Sequence, residues 1–254
     1  GFLAAVTYRA VAVPILSDFA IADIQSLVDH SESVVLFTES RMWDEMSSDN
    51  MPKLSATISS EDFSALYCRD CDAQTLVAKA TGSMPKVFPA EKREQITDYT
   101  FGDMDDLAVI NYTSGTTSSP KGVMLTTRNI SSNIDFALNN IPVEDDYTLM
   151  SMLPLAHMYG MAFEFLYPLS GGAHIFFLGK TPTPTLLLQA LADIKPYLLI
   201  TVPLVLEKIF KNKVMPTLEK PMMRVLTSIP GVRNIIYGKV REKLLTTFGG
   251  NLNS

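Results

Sequence analysis

The sequence predicts an α/β fold with mostly parallel sheets flanked by helices. Short runs of β-branched and other apolar residues, typical of buried strands, alternate with longer segments whose apolar residues recur every three or four positions, as in amphipathic helices. Because a helix between two strands returns the chain to the same end of the sheet, this alternation favours parallel pairing. The chain has 254 residues, 47% of them apolar, which suffices for the core of one large domain or two tightly packed lobes.

The first part of the sequence contains two predicted strands around one helix. The runs AVAVPI (10–15) and VVLFT (34–38) have strand composition, and Asp18 is a suitable N-cap for the helix between them. The apolar residues of this helix share one face: Ile21, Ile24, Leu27 and Val28. We therefore expect the two strands to pair in parallel. The next stretch, 46–106, is rich in Ser, Asp and Lys and predicts an irregular excursion within the domain.

Regular patterns return after this excursion. LAVINYT (107–113) and GVMLT (122–126) are predicted strands on either side of a polar loop, and Thr127 is a candidate cap for the helix that follows. One face of that helix is apolar: Ile130, Ile134, Leu138 and Ile141. Three further predicted strands alternate with three predicted helices: strands 147–153, 173–179 and 197–202, and helices 157–169, 184–195 and 203–218.

Charge and composition restrict the function classes. A net charge of −6 argues against a nucleic-acid partner, which requires a basic surface, and two cysteines favour a reducing cytoplasm over a disulfide-stapled secreted protein. The apolar stretch 158–178 is interrupted by Glu164 and Pro168, so it does not predict a transmembrane helix. The segment from Lys208 to Lys243 contains nine basic residues and two acidic ones. This segment predicts either a solvated face or an attraction to negatively charged partners. Those partners are acidic lipids at the inner face of the membrane or the phosphates of coenzyme A.

The loop between the strands 107–113 and 122–126 carries an unusual density of hydroxyl groups. The stretch NYTSGTTSSPKGVMLTT (111–127) places six Ser and Thr residues around Gly115 and then supplies Lys121. Glycine lets the backbone approach a ligand closely, N–H groups and hydroxyls donate hydrogen bonds, and lysine adds a positive charge. This combination predicts a polyphosphate-binding loop.

The loop does not follow the Walker A pattern. That pattern has glycine immediately before the lysine and Ser or Thr after it, whereas here Pro120 precedes Lys121 and Gly122 follows it. The alternative is an exposed Ser/Thr-rich loop without a ligand. The flanking strands, the central glycine and the Pro-Lys-Gly ending favour phosphate binding.

Three motifs resemble those of the acyl-adenylate-forming superfamily, the AMP-binding enzymes. YTSGTTSSPKGVML (112–125) resembles the phosphate-loop signature of this superfamily, with Ser118 where a glycine is usual. LPLAHMYG (153–160) resembles the next core motif, and TVPLVLEKIFKNKV (201–214) is similar to a helix start of long-chain fatty acid–CoA ligases. The resemblance implies that the chain is part of the large N-terminal domain of such an enzyme.

The resemblance also implies a reaction and a set of residues. Members of the superfamily use ATP and Mg²⁺ to convert a carboxylic acid to an acyl-adenylate, which then reacts with the thiol of coenzyme A. Carried over by motif, the residues that hold the β- and γ-phosphates of ATP are Thr113, Ser114, Gly115, Thr116, Thr117 and Lys121. Thr116 is the expected Mg²⁺ ligand, and His157 is expected beside the acyl group or its carboxylate. The implied catalytic residues are therefore Thr116, Lys121 and His157, and the implied substrate is a fatty acid.

Other parts of the superfamily's machinery are missing from the sequence. It contains no Tyr-Gly-x-Thr-Glu motif, no Thr-Gly-Asp motif and no C-terminal lid domain. We therefore expect residues 1–254 to be a partial N-terminal domain, cut at both ends, that does not turn over by itself. Two alternatives stay open for the whole protein: an enzyme that adenylates other acyl or aryl acids, and a non-catalytic relative that binds nucleotide.

Overall fold

A computed structural model describes residues 1–70, 72, 75, 77–80, 82, 102–113, 120–180, 182–213, 215–218 and 230–252. The chain divides into two compact units, Gly1–Ile130 and Ser131–Ser254. The fold is α/β, as predicted. Of the six strand pairings and isolated bridges in the described part of the chain, four are parallel and two are antiparallel.

The first unit contains helices and two separate sheets. Its helices that lie wholly within the described residues include Phe2–Thr7, Ile21–His30 and Ser40–Trp43, with a 3-10 turn at Ser48–Asn50, and residues 77–80 are helical as well. Its strands are β1 (Val35–Thr38), β2 (Ala56–Ser59), β3 (Ala65–Cys68), β4 (Leu107–Thr113) and β5 (Lys121–Thr126). β1 pairs in parallel with β2, which pairs antiparallel with β3, whereas β4 and β5 form an antiparallel pair. The helix Thr127–Asn140 follows β5 directly.

The predicted strand 10–15 is reduced to one bridge. Ala12 bridges Val109 of β4 in parallel, so β1 has β2 as its partner in place of this segment. Pro14 follows two residues after the bridge and has no N–H group to continue a ladder. The predicted pairing of 10–15 with 34–38 is therefore wrong.

The excursion expected over 46–106 is wrong for its first part. A 3-10 turn, β2 and β3 occupy most of 48–68, while 83–101 lies outside the described residues. Strand β2 contains Thr57 and Ser59, both fully buried. Because these buried positions carry hydroxyl side chains, the sequence lacks the apolar pattern by which a buried strand is recognised.

Two predicted helix caps are shifted in the structure. The first long helix begins at Ile21 with Ala20 as its N-cap, so Asp18 lies too early in the chain to cap it. The predicted apolar face is confirmed, because Ile24 and Val28 pack with Met51 and Leu54 in a buried cluster. The second shifted cap belongs to helix Thr127–Asn140, where Thr126 takes the place of the predicted Thr127.

The second unit follows the predicted alternation closely. Strands β6 (Thr148–Ser151) and β7 (His174–Phe177) pair in parallel, and Leu198 adds one parallel bridge to Leu149 where a third strand was predicted. The helical segments are Met158–Gly160, Met161–Leu166 (a π-helix), Tyr167–Ser170, Pro184–Ile194, Pro203–Lys213, Met215–Leu218 and Pro230–Thr247. Among the described residues of this unit, one buried cluster contains Met150, Met152, Leu187 and Leu191, and another contains Ala137, Leu149 and Tyr167. Within the described parts of the chain, no helix is long and apolar enough to span a bilayer.

Candidate active site

The strands β4 and β5 form a hairpin that fixes both ends of the hydroxyl-rich loop. In this pair Thr113 lies opposite Lys121, and the connection between them is the seven residues 114–120. Both side chains are exposed, and Lys121 makes no ion pair with any other residue that the structure describes. A hydroxyl and an ammonium group therefore lie side by side at the loop end of the hairpin, which suits an anionic ligand.

Only part of the predicted phosphate site lies within the described chain. Ser114, Gly115, Thr116 and Thr117 lie outside the described residues, and so does Ser118. Among the residues that are described, no group of three or more His, Cys, Asp or Glu side chains could hold a metal ion. The role of Thr116 as a Mg²⁺ ligand therefore stays a prediction.

Tyr112 anchors the hairpin immediately before the loop. Its side chain is 8% exposed, and its hydroxyl oxygen lies 2.7 Å from Nδ1 of His30, at the end of helix Ile21–His30. The two rings meet edge to face, with centroids 5.7 Å apart and an interplanar angle of 72°. Burial raises the pKa of the Tyr112 hydroxyl above its ordinary value, opposed by a hydrogen bond with Ser31. The strand end is thereby tied to a helix that lies 82 residues earlier in the chain.

Gly122 makes room for this anchor on the neighbouring strand. It is the register partner of Tyr112, and a Cβ atom at this position would lie 3.3 Å from Cε1 of Tyr112 and 3.0 Å from Cγ2 of Ile110. A larger residue would push the aromatic ring away. The glycine after Lys121 thus has a packing reason that is independent of any ligand.

The far end of β5 is capped and tethered. Thr126 Oγ1 accepts a hydrogen bond from the backbone N–H of Asn129 at 3.3 Å, and Asn129 Oδ1 accepts one from the backbone N–H of Thr126 at 3.0 Å. This reciprocal pair is the geometry of a capping box, so the cap of helix Thr127–Asn140 lies at Thr126, one residue before the predicted Thr127. Arg128 donates from Nε and Nη2 to the carboxylate of Asp105, at 2.7 and 3.0 Å, and this contact lowers the pKa of Asp105.

His157 is the N-cap of the helical stretch 158–170 in the second unit. The ring atom Nδ1 of His157 accepts a hydrogen bond from the backbone N–H of Tyr159 at 3.3 Å. The backbone N–H of His157 donates to the carbonyl oxygen of Pro154 at 3.0 Å. Because Nδ1 acts as the acceptor, neutral His157 carries its proton on Nε2. The side chain is exposed and can present that N–H to a ligand.

Glu164 is a buried acidic residue. In the sequence it is noticeable only because it interrupts the apolar stretch 158–178. It is 1% exposed and lies in the π-helical segment Met161–Leu166. Its Oε2 accepts three hydrogen bonds: from the N–H of Leu153 at 2.7 Å, the N–H of Met152 at 2.9 Å and the hydroxyl of Ser151 at 3.2 Å. Burial raises the pKa of Glu164, and these three donors oppose that rise.

A second glycine, Gly160, lets the helix lie close to the turn 153–157, which precedes it in the chain. A Cβ atom on Gly160 would lie 2.9 Å from the carbonyl oxygen of Pro154 and 3.2 Å from Cβ of Leu153. The helix can therefore approach the residues 153–157 only because position 160 has no side chain. The motif LPLAHMYG predicted His157 as a site residue, and its glycine is the signal that the turn and the helix are in contact.

The hydroxyl-rich hairpin and the histidine-capped helix both lie within the match to one protein family. The AMP-binding enzyme family matches residues 1–249. The chain belongs to this family. The superfamily predicted from the three motifs is thereby confirmed.

Individual proteins are similar to this chain over most of its length. Long-chain-fatty-acid–CoA ligase 5 of Rattus norvegicus is 28% identical over 275 residues, a match that covers 98% of this chain and 39% of the ligase. Apo MatB from Rhodopseudomonas palustris has a TM-score of 0.62 at 21% identity, covering 83% of this chain and 38% of MatB. The N-terminal domain of FACL13 from Mycobacterium tuberculosis has a TM-score of 0.61 at 19% identity, covering 88% and 49% of the two chains. The chain thus spans less than half the length of each of these three matched chains, and the two solved structures show that it shares their fold.

Proposed function

We propose that this chain is the nucleotide-binding part of an ATP-dependent long-chain fatty acid–CoA ligase. The observation that carries the proposal is the β4–β5 hairpin, which holds Thr113 and Lys121 opposite each other at the two ends of a Ser/Thr-rich loop. The similarity to the rat ligase over nearly the whole chain supports the substrate class. The reaction is adenylation of a fatty acid carboxylate, followed by transfer of the acyl group to the thiol of coenzyme A.

The hairpin residues bind the phosphates of ATP in this proposal. Lys121 contributes a positive charge at a fixed register position, and Thr113 contributes a hydroxyl donor beside it. The loop residues Ser114, Gly115, Thr116 and Thr117 complete the contacts to the β- and γ-phosphates. A Mg²⁺ ion held by Thr116 would neutralise charge on the departing pyrophosphate. Because the hairpin fixes both loop ends before ATP arrives, little reorganisation is needed during the reaction.

His157 serves the carboxylate side of the reaction. Its Nδ1 is engaged by the N–H of Tyr159, so the Nε2–H group is the one left to donate to an oxygen of the acid or its adenylate. The segment 151–160 contains no acidic residue that could bind a substrate amine. This composition favours an uncharged acyl tail over an amino acid, the substrate of some other adenylating enzymes.

The test is carboxylate-dependent exchange of pyrophosphate into ATP, measured with the natural protein that contains this sequence. Acids from acetate to palmitate are compared. We expect exchange that rises with chain length and falls about 100-fold in Lys121→Ala, as for loss of one preorganised charge-stabilising donor. Lys121→Arg is the matched control, because it keeps the charge and should retain more activity than the alanine variant. Exchange only with short, aryl or amino acids would replace the fatty-acid assignment with another adenylating activity.

A non-catalytic nucleotide-binding relative is the second candidate, and Ser118 is the residue that favours it. Related loops have a glycine at this position, and a side chain here restricts the backbone. Binding of Mg-ATP by calorimetry without exchange for any acid would support this candidate. Recovery of exchange in Ser118→Gly would then assign the loss to that residue.

The protein is proposed to act in the cytoplasm with a peripheral contact to acidic membrane lipids. The support is the basic segment from Lys208 to Lys243, in which Lys208 and Lys211 are exposed on helix Pro203–Lys213. Lys211 lies 3.6 Å from Glu207, an exposed pair that salt readily screens. Binding to vesicles that contain phosphatidylserine should weaken as salt rises. Absence of vesicle binding at low salt would remove the membrane contact from the proposal.

A further inference from the structure

Glu164 has a set of contacts that packing alone does not require. Its carboxylate is almost completely buried, and within the described residues its second oxygen, Oε1, has no hydrogen-bond partner. A buried ionisable group with an unpartnered oxygen costs free energy, and an apolar side chain of similar volume is often as stable or more stable at such a position. Such a group in a folded protein therefore calls for a specific explanation.

The hydrogen bonds of Glu164 all go to three consecutive residues at the start of the turn 153–157 and just before it. Its three donors belong to Ser151, at the end of β6, and to the next two residues, which lead into the turn 153–157. His157 closes that turn with the 3.0 Å hydrogen bond to Pro154 and begins the helix that carries Glu164. The start of the turn is thus bound to the carboxylate, and its end is bound to the helix N-terminus.

The local helix geometry supports the same arrangement. Glu164 lies inside a π-helical segment, Met161–Leu166, and π-helical turns are frequent at functional sites because they redirect side chains. Gly160 permits the close approach of this helix to Pro154. The π-helical segment and Gly160 both affect the turn 153–157, which determines the position of His157.

We propose that Glu164 is a positioning residue that holds the turn 153–157 and thereby fixes His157 for the adenylation step. This inference rests on the proposed function, in which His157 contacts the substrate. Glu164 acts through the backbone N–H groups of Met152 and Leu153 and makes no contact with the reacting atoms. Its effect on the reaction therefore depends on the presence of the histidine.

The test is a double-mutant cycle with His157→Ala, measured by pyrophosphate exchange in the natural protein that contains this sequence. Glu164→Leu removes the acceptor while filling similar space, and we expect kcat to fall about 100-fold, as for misplacement of a catalytic group by about 1 Å. The KM for Mg-ATP should change less than about threefold, because phosphate binding is not involved. In the His157→Ala background the same change should cost less than about threefold. Equal losses in both backgrounds would overturn the proposal.

Two variants separate positioning from general loss of packing. Glu164→Gln keeps an oxygen acceptor at the same place, so it should retain kcat within about fivefold of the unmodified protein. Leu166→Ala removes a buried apolar side chain from the same π-helical segment while leaving Glu164 and its three donors unchanged, and it should leave kcat within about threefold. A glutamine variant as impaired as the leucine variant, or an equal loss in Leu166→Ala, would contradict the proposal. If Glu164→Leu does not fold, Ser151→Ala removes one of the three donors and should give a smaller loss that again vanishes without His157.

Amide hydrogen exchange of the peptide 151–157 tests the anchor without relying on activity. Protection should fall at least about tenfold in Glu164→Leu and stay unchanged in Leu166→Ala. Unchanged protection in both variants would overturn the anchoring itself. Absence of pyrophosphate exchange in the unmodified protein with every acid would instead refute the proposed function, and the two failures are therefore distinguishable.

Discussion

The hairpin loop 114–120 and the turn 153–157 are each held in place by a buried polar side chain and a glycine, but the two arrangements differ in strength. The hairpin loop 114–120 begins two residues after Tyr112, whose ring packs against Gly122 and whose hydroxyl contacts His30. The turn 153–157 is held by Glu164, next to a helix whose approach depends on Gly160. In each case one buried polar side chain reaches a distant element, and a glycine of the motif allows the close contact.

The two anchors differ in charge and in number of hydrogen bonds. The uncharged hydroxyl of Tyr112 lies 2.7 Å from His30 and also hydrogen-bonds with Ser31, and this residue is 8% exposed. The carboxylate of Glu164 accepts three hydrogen bonds and is 1% exposed. A buried donor that loses its acceptor costs more than the hydrogen bond itself contributed. The turn 153–157 should therefore depend on its anchor far more than the hairpin does.

The largest expected effect is that of removing the Glu164 acceptor. Glu164→Ala leaves two backbone N–H groups and one hydroxyl without their acceptor and creates a cavity, so we expect a loss of about 3–5 kcal/mol in the free energy of unfolding. Urea denaturation measures it, and Glu164→Gln is the control that keeps an acceptor. A loss of less than about 1 kcal/mol would show that water readily replaces the carboxylate.

The two glycines give the next comparison. In Gly160→Ala the new Cβ atom would lie 2.9 Å from a backbone oxygen, which cannot move without shifting the turn. In Gly122→Ala the nearest atoms belong to the side chains of Ile110 and Tyr112, which can adjust. We expect losses of about 2 kcal/mol for Gly160→Ala and about 1 kcal/mol for Gly122→Ala, measured by urea denaturation. The reverse order would show that the hairpin is the more rigidly packed of the two.

The hydroxyl of Tyr112 should have a smaller effect. Tyr112→Phe keeps the ring against Gly122 and removes the contacts of the hydroxyl with His30 and Ser31, so we expect a loss of about 1 kcal/mol. His30→Ala in the Tyr112→Phe background measures how much of His30's effect passes through the hydroxyl. Fully additive losses would indicate that the 2.7 Å contact does not stabilise the hairpin.

The sequence predicted the periodic elements and missed the anchors. Strands β6 and β7 and the helix Pro184–Ile194 were predicted because apolar periodicity marks them directly. Strand β2 was missed because Thr57 and Ser59 are buried hydroxyl residues. His30 could not be found in this way, since its partner lies 82 residues away and no local pattern marks the contact.

The same distinction applies to the site residues. Lys121 and His157 were predicted from motifs, which record residue types at fixed spacing. Glu164 was not, because its partners are mainly backbone N–H groups, and these are present in every sequence. Only the folded arrangement selects which of them a carboxylate reaches.

The pH dependence of stability should separate the two anchors. Burial raises the pKa of Glu164 above its ordinary value of 4.5 and that of Tyr112 above 10.0. A group with a raised pKa binds more protons in the folded than in the unfolded protein, so its contribution to stability is complete below the ordinary pKa and is lost as pH rises through the folded-state pKa. The free energy of unfolding should therefore decline in one window that starts near pH 4.5 and in another that starts near pH 10. Glu164→Gln should abolish the first decline alone and Tyr112→Phe the second alone, as measured by urea denaturation across pH. A first decline that persists in Glu164→Gln would assign that window to other carboxyl groups, and the acidic anchor would then be fully compensated by its three donors.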